Sequence, residues 1–230
     1  MIPIKADLPT RTFPFVTIGL ISINILIFLY EISLGPRSEQ FIFTYGAIPF
    51  ELVRVLEISR PAPIIKSMFT SMFLHGGLWH VGANMLYLWI FGNNIEDEMG
   101  HLRFILFYLL CGVIAAYCQA VINPTSQIPM IGASGAVSGV LGAYLIRFPR
   151  AKILTLFPIG FFVHFIRIPA IIFLGLWIFP QLINGIFSLQ QTGGIAWFAH
   201  VGGFLAGMLL IHQFVKKGKG EKRHRHHQKG

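Results

Sequence analysis

The sequence predicts an all-α membrane protein, a bundle of six transmembrane helices with both ends on the cytoplasmic side. Three observations carry that reading. Of 230 residues, 54% are hydrophobic and 12% charged, where a soluble domain carries about a quarter charged. Mean hydropathy is +0.67, and apolar runs of bilayer-spanning length recur along the chain. The Lys and Arg residues between those runs fall on alternate sides, as the positive-inside rule describes.

The first span is expected at Phe13–Leu34, with Ser22 and Asn24 bonding to neighbouring helices. This run is of full span length and lacks a small-residue cleavage site, so it reads as a span and not as a cleavable signal. Gly35–Gly77 is broken by Pro36, Pro49, Pro61 and Pro63 and mixes aromatics with Arg37, Arg54, Arg60 and Lys66. That mixture suits a partly helical segment lying in the membrane interface. Span 2 is expected at about Leu78–Ile95, followed by the acidic turn NNIEDEMGH, and span 3 at about Leu102–Ile122. Span 4, about Ser134–Phe148, is short, where a perpendicular crossing takes about 20 residues. Pro158, Gly160 and Arg167 make Ile153–Arg167 a cytoplasmic loop, with span 5 at Ile168–Leu189, kinked at Pro180, and span 6 at Trp197–Val215. A seventh span within 153–167 would have to absorb Pro158 and Arg167 and would break the charge parity.

With both ends inside, 14 of the 18 Lys and Arg residues are cytoplasmic and four lie in the long first loop. Seven of the 14 form the tail beyond Val215, KKGKGEKRHRHHQKG. The tail reads as a cytoplasmic retention signal that touches anionic lipid, not as a nucleic-acid arm. Its His224, His226 and His227 belong to a disordered His/Lys stretch, not a metal site. Cys111 and Cys118, seven apart on one helix, are about 10 Å apart by helical rise. That is too far for a disulfide, so both read as small packing residues. The whole chain, 1–230, reads as a single domain with its core at about 13–215.

Polar residues within spans are costly, and four stand out: His80 and Asn84 in span 2, Ser134 at the start of span 4, and His200 in span 6. The topology runs spans 2, 4 and 6 from outside to inside. Each of the four lies within about seven residues of its span's start, hence about 10 Å or less below the outer surface. Independent structural residues need not share a level. His80 and Asn84 are i, i+4, on one helix face. Span 4 opens GASGAVSGVLGA, and span 6 carries Ala199, Gly203 and Gly207 at four-residue spacing. Such small-residue faces let helices approach closely, and a Ser–His hydrogen bond between short side chains needs that approach. Gly132, Gly135, Gly203 and Gly207 are therefore expected as close-packing support.

Taken singly, Ser134 could be an ordinary helix cap, and His80 or Asn84 interhelical glue. Together, Ser134 and His200 suit a nucleophile and its base. The free N–H groups of a helix start, with His80 and Asn84, suit stabilisation of an oxyanion. No Asp or Glu lies in spans 4 or 6, so a dyad is expected in place of a triad. A transporter would spread polar residues through the bilayer, and a metalloprotease would need a ligand set such as H-E-x-x-H, which is absent.

At these residues the chain resembles the rhomboid family of intramembrane serine proteases. HGGLWHVGANMLYLWIFG (75–92) resembles the family's His-x-x-x-Asn span, GASGAVSG (132–139) its GxSG motif, and AHVGGFLAG (199–207) its last-span His–Gly signature. EDEMGHLRF (96–104) and WIFPQ (177–181) are similar to the family's turn before span 3 and its span 5. The resemblance implies a six-helix rhomboid-like fold and a Ser134–His200 dyad. It implies an oxyanion site from His80, Asn84 and the Ser134 N–H, with span 5 as a lateral gate. It also implies cleavage of single-pass transmembrane proteins near the outer face, after a small residue, without cofactor or metal. The partners are then transmembrane substrates and the lipid bilayer, and the compact plan suits the cell membrane. Some members place an aromatic ring four residues after the nucleophile, where this chain has Ser138. The resemblance leaves open what orients His200.

Overall fold

The computed structural model describes residues 1–55, 57, 61–159, 162–188 and 194–215. The basic tail with its three His, and the expected end of span 5 at Leu189, lie outside the described residues. The helices are α1 (Phe15–Ser33), α2 (Ser38–Tyr45), α3 (Pro49–Leu52), α4 (Ala62–Thr70), α5 (Leu78–Tyr87), α6 (Asn93–Met99), α7 (His101–Ile122), α8 (Ser134–Arg147), α9 (Ala170–Ser188) and α10 (Trp197–Phe214). Three strands join them: β1 (Ile2–Ala6), β2 (Lys152–Ile159) and β3 (Phe162–Pro169).

Among the described residues, α1, α7, α9 and α10 are each long and apolar enough to cross a membrane. A five-residue π-helical segment, Leu88–Gly92, joins α5 to α6. Helical backbone therefore runs on from Leu78 to Met99, past the Ile95 at which the sequence suggested span 2 would end. α8 has 14 residues, about 21 Å by helical rise. It occupies the middle of the bundle, with ten of those residues buried. α9 is the opposite case: of 19 residues only Ala170, Phe173, Leu174 and Gly185 are buried. The exposed apolar side chains of α9, among them Phe179 and Phe187, form a surface that suits lipid and not water.

The segment expected as a loop at 153–167 is instead a β-hairpin, and the chain's first residues complete an antiparallel sheet of order β1-β2-β3. Ile2 pairs with Leu156 and Ala6 with Ile153, while Ile153 pairs with Ile168 and Leu156 with Phe165. The residues are rich in the β-branched and aromatic types that strands favour. Pro158, which reads as a loop signal, falls within β2, and Gly160 lies outside the described residues. Ile153 and Thr155 are fully buried on one face, and Arg167 pairs with Asp7 at 3.1 Å.

The acidic stretch is helical and mostly buried, not an exposed turn. A buried carboxylate is stable only when paired or hydrogen-bonded, and each acid here has partners. Glu96 accepts from the backbone N–H groups of Val16 (3.0 Å) and Thr17 (2.8 Å) and from the Thr17 hydroxyl (2.7 Å), and contacts His101. It thereby caps the start of α1, where a negative charge meets the positive end of the helix dipole. Asp97 accepts from Thr12 Oγ1 (2.8 Å) and the Arg11 N–H (3.3 Å), and Glu98 binds Arg147 at 2.6 Å. These contacts and the sheet gather residues 2–17, 94–103 and 147–169 at one end of the bundle, the sheet end.

The long first loop makes α2, α3 and α4 at the other end. Ala47 pairs with Met130 in an antiparallel bridge, and the Thr70 hydroxyl donates to Tyr45 O at 2.6 Å. One polar expectation for α1 is corrected: Ser22 is exposed. Asn24 is buried, donates to Leu20 O of its own helix (2.7 Å) and hydrogen-bonds the Tyr108 side chain of α7, a neighbouring helix.

Candidate active site

Ser134 opens α8, and its backbone N–H is one of the donors that a helix start leaves without an intrahelical acceptor. His200 lies in the first turn of α10. The Ser134 hydroxyl and His200 Nε2 are 2.9 Å apart. Glycines make this approach possible. A Cβ on Gly203 would stand 2.1 Å from Gly135 O, and one on Gly207 1.9 Å from Gly139 O. The backbones of α8 and α10 touch along the face Gly135, Gly139, Gly142 with no side chain between them. α7 closes the other side: a Cβ on Gly135 would meet the Ala115 side chain at 2.6 Å, and one on Gly139 would meet Cys111 at 2.5 Å. Cys118 fills the hollow at Gly202 in the same way. Both cysteines are free.

His80 and Asn84 extend from α5 toward the same place. Gly132, two residues before Ser134, has φ +116°, a conformation that side chains resist. A Cβ there would lie 2.6 Å from His80 Nε2 and 3.7 Å from Asn84 Nδ2. Gly132 therefore keeps the space in front of both donors open. His80 Nδ1 accepts from the Gly76 N–H at 3.4 Å, so the neutral ring carries its proton on Nε2, the atom that faces Gly132. Asn84 is buried, and its Nδ2 has no hydrogen-bond partner. A buried amide donor without an acceptor is an expensive feature, and it suits a site whose acceptor arrives with a ligand.

His80, Asn84, Ser134 and His200 all line one cavity of about 680 Å³, together with Trp79, Trp177, Gln181 and Trp197. Two tryptophans flank the imidazole: Trp177 at 6.1 Å between centroids, tilted, and Trp197 edge-on at 6.2 Å. Ser138, four residues after Ser134, donates to Ser134 O at 2.6 Å and does not reach the ring. The partner of His200 Nδ1 is Gln181 Oε1 on α9, at 2.8 Å.

Three contributors escaped the sequence reading. Gln181 was visible in WIFPQ as an amide within an apolar run, a signal that it needs a partner. Gln119, near the end of α7, accepts from the backbone N–H groups of Phe198 (2.9 Å) and Ala199 (3.2 Å). It caps α10 just before His200, from another helix. His75, buried in the loop before α5, accepts at Nε2 from the Ala133 N–H (3.5 Å), and its own N–H donates to Glu31 Oε2 (3.1 Å). It ties the backbone beside Ser134 to α1. Nothing in the local pattern of a loop histidine reveals that link.

Residues 64–217 match the Rhomboid domain family model. The chain belongs to the rhomboid family. It is 30% identical to RHOMBOID-like protein 1 of Arabidopsis thaliana over 82% of this chain and 45% of that protein. It is 30% identical to Rhomboid protease GluP of Bacillus subtilis (strain 168), over 88% of this chain and 35% of GluP. To Rhomboid protein 1, mitochondrial, of Saccharomyces cerevisiae it is 31% identical, over 83% and 51% of the two. The chain thus spans about half or less of the length of these relatives. This rhomboid is a mostly helical membrane protein with several apolar helices, and the family's hydrolase chemistry is that of intramembrane proteolysis.

Proposed function

We propose that this rhomboid is an intramembrane serine endopeptidase acting through a Ser134–His200 dyad. The observation that carries the reading is the 2.9 Å contact between Ser134 Oγ and His200 Nε2 on the wall of the cavity. The Ser134 hydroxyl attacks the scissile carbonyl carbon as its proton passes to His200 Nε2. Negative charge forms on the carbonyl oxygen, and the Ser134 N–H, His80 Nε2–H and Asn84 Nδ2–H donate to it. The C–N bond then breaks, and His200 returns the proton to the departing amine. Water entering the cavity attacks the ester with His200 again as base. The C–O bond to Ser134 breaks, the carboxylate fragment leaves, and the hydroxyl recovers its proton.

The substrates are single-pass membrane proteins cut near the outer face after a small residue, entering beside α9, the least buried of the long helices. GluP, named a rhomboid protease, supports the reaction class. We assign one domain, six spans with both ends cytoplasmic, and residence in the cell membrane. The sheet supports this sidedness, because it pairs residues before α1 with those after α8, four crossings later. Reporter fusions after Val215 are expected to read cytoplasmic, and an external signal overturns the orientation. The serine assignment is tested with a fluorophosphonate probe on the purified protein in detergent. Labelling is expected on wild type and absent from Ser134→Ala; a probe that marks both variants alike refutes it.

A further inference from the structure

Resting on that dyad, we infer that Gln181 of α9 is the positioning residue for His200, selecting the imidazole tautomer that can act as base. An Asn or Gln amide has one accepting and one donating end, and here the ends are assigned by their surroundings. Gln181 Nε2 donates to Trp177 O, one turn back on the same helix, at 3.3 Å. That leaves Oε1 facing His200 Nδ1 at 2.8 Å. An oxygen can only accept, so the neutral ring must hold its proton on Nδ1. Nε2 is then an unprotonated lone pair aimed at the Ser134 hydroxyl, 2.9 Å away. The reversed amide would lose the Trp177 bond and favour a proton on Nε2, where it blocks proton transfer from the serine.

The place of Gln181 in the fold adds a second consequence. The Ser134–His200 contact and the glycine face hold α8 against α10, and Gln119 ties α10 to α7, but Gln181 reaches His200 from the sparsely buried α9. Only the seated position of α9 completes the chain Trp177 O–Gln181–His200–Ser134. The His200 ring is thereby answerable to a helix outside the α7–α8–α10 core.

The test measures cleavage of a transmembrane substrate by the full chain in detergent or liposomes, with kcat and KM separated. Gln181→Leu keeps the volume and removes the acceptor; Gln181→Met does the same with an unbranched chain if Leu fails to fold. Both are expected to lower kcat about 10–100-fold, the range seen when the partners that orient metal-ligating histidines are lost, with KM unchanged and fluorophosphonate labelling slowed in parallel. Gln181→Glu, which retains an accepting oxygen at the same reach, is expected to restore kcat. An unchanged kcat in the Leu and Met variants overturns the inference. So does a Glu variant as slow as Leu, or a loss confined to KM. Ser134→Ala and His200→Ala run alongside: if those two retain activity, the dyad itself fails, whereas their inactivity with indifferent Gln181 variants condemns the positioning role alone.

Discussion

His200→Ala is expected to slow cleavage of a membrane-embedded substrate about 10⁶-fold, Ser134→Ala by a similar factor, and the double variant by no more than either alone. In a serine protease the nucleophile and base act as one unit, so losing one member leaves the other with nothing to do. A factor of about 10⁶ corresponds to about 8 kcal/mol of transition-state stabilisation. The geometry gives the coupling its cause. Among the described residues the hydroxyl has one base within reach, at 2.9 Å, and the ring's other nitrogen is committed to Gln181. Residual turnover in all three variants is expected at the same low level, set by the oxyanion donors and substrate binding. The double-variant cycle, measured on one reconstituted substrate, checks it. Losses that multiply, so that the double variant is far slower than either single one, would mean that the two side chains serve separate steps.

Gly207→Val is expected to destabilise the fold by about 3 kcal/mol or more, the upper range for forcing volume into a packed core. A Cβ at this position would stand 1.9 Å from Gly139 O, 2.6 Å from Gly139 C and 2.8 Å from Gly139 Cα. Every one of these atoms is backbone, so no rotamer change relieves the contact. α10 must move away from α8 by more than 1 Å to reach even the tight limit of 3.0 Å. Such a shift also opens the Ser–His contact, which is why activity and stability should fall together. Gly175→Ala on α9, where a Cβ meets nothing within 4 Å, serves as the control. It is expected to be neutral or slightly stabilising, because Ala suits a helix interior better than Gly. Thermal or denaturant unfolding in one detergent compares the two. Equal midpoints for Gly207→Val and wild type would mean that the helices do not pack backbone to backbone.

Much of the site could be read from the chain because its residues sit in regular places. His80 and Asn84 are one turn apart on α5, Ser134 opens α8, and His200 lies in the first turn of α10. Helical rise alone assigns them to one level, and the structure brings all four to one cavity. The shortness of α8 and the close-packing glycines follow from the same arithmetic. What stayed hidden depends on partners remote in sequence. Gln119 caps a helix 79 residues away, and His75 meets Ala133 across 58. Ser138 invited attention by its register with Ser134, yet the ring's partner came from α9. The hairpin was missed for a different reason. Pro158 and Gly160 read as loop residues, and the strand that completes the sheet, Ile2–Ala6, is remote from the hairpin in sequence.

That strand has a bearing on how the protein is made. Ile2 pairs with Leu156, 154 residues downstream, so β1 leaves the ribosome long before the strand it pairs with. The register between β1 and β2 can close only after α1, the α5–α6 helix, α7 and α8 have been synthesised, a contact of very long loop closure. Until then β1 stands unpaired, the kind of exposed template that invites wrong partners. Sheet closure thus marks the moment at which α1, the α5–α6 helix, α7 and α8 become one assembled unit.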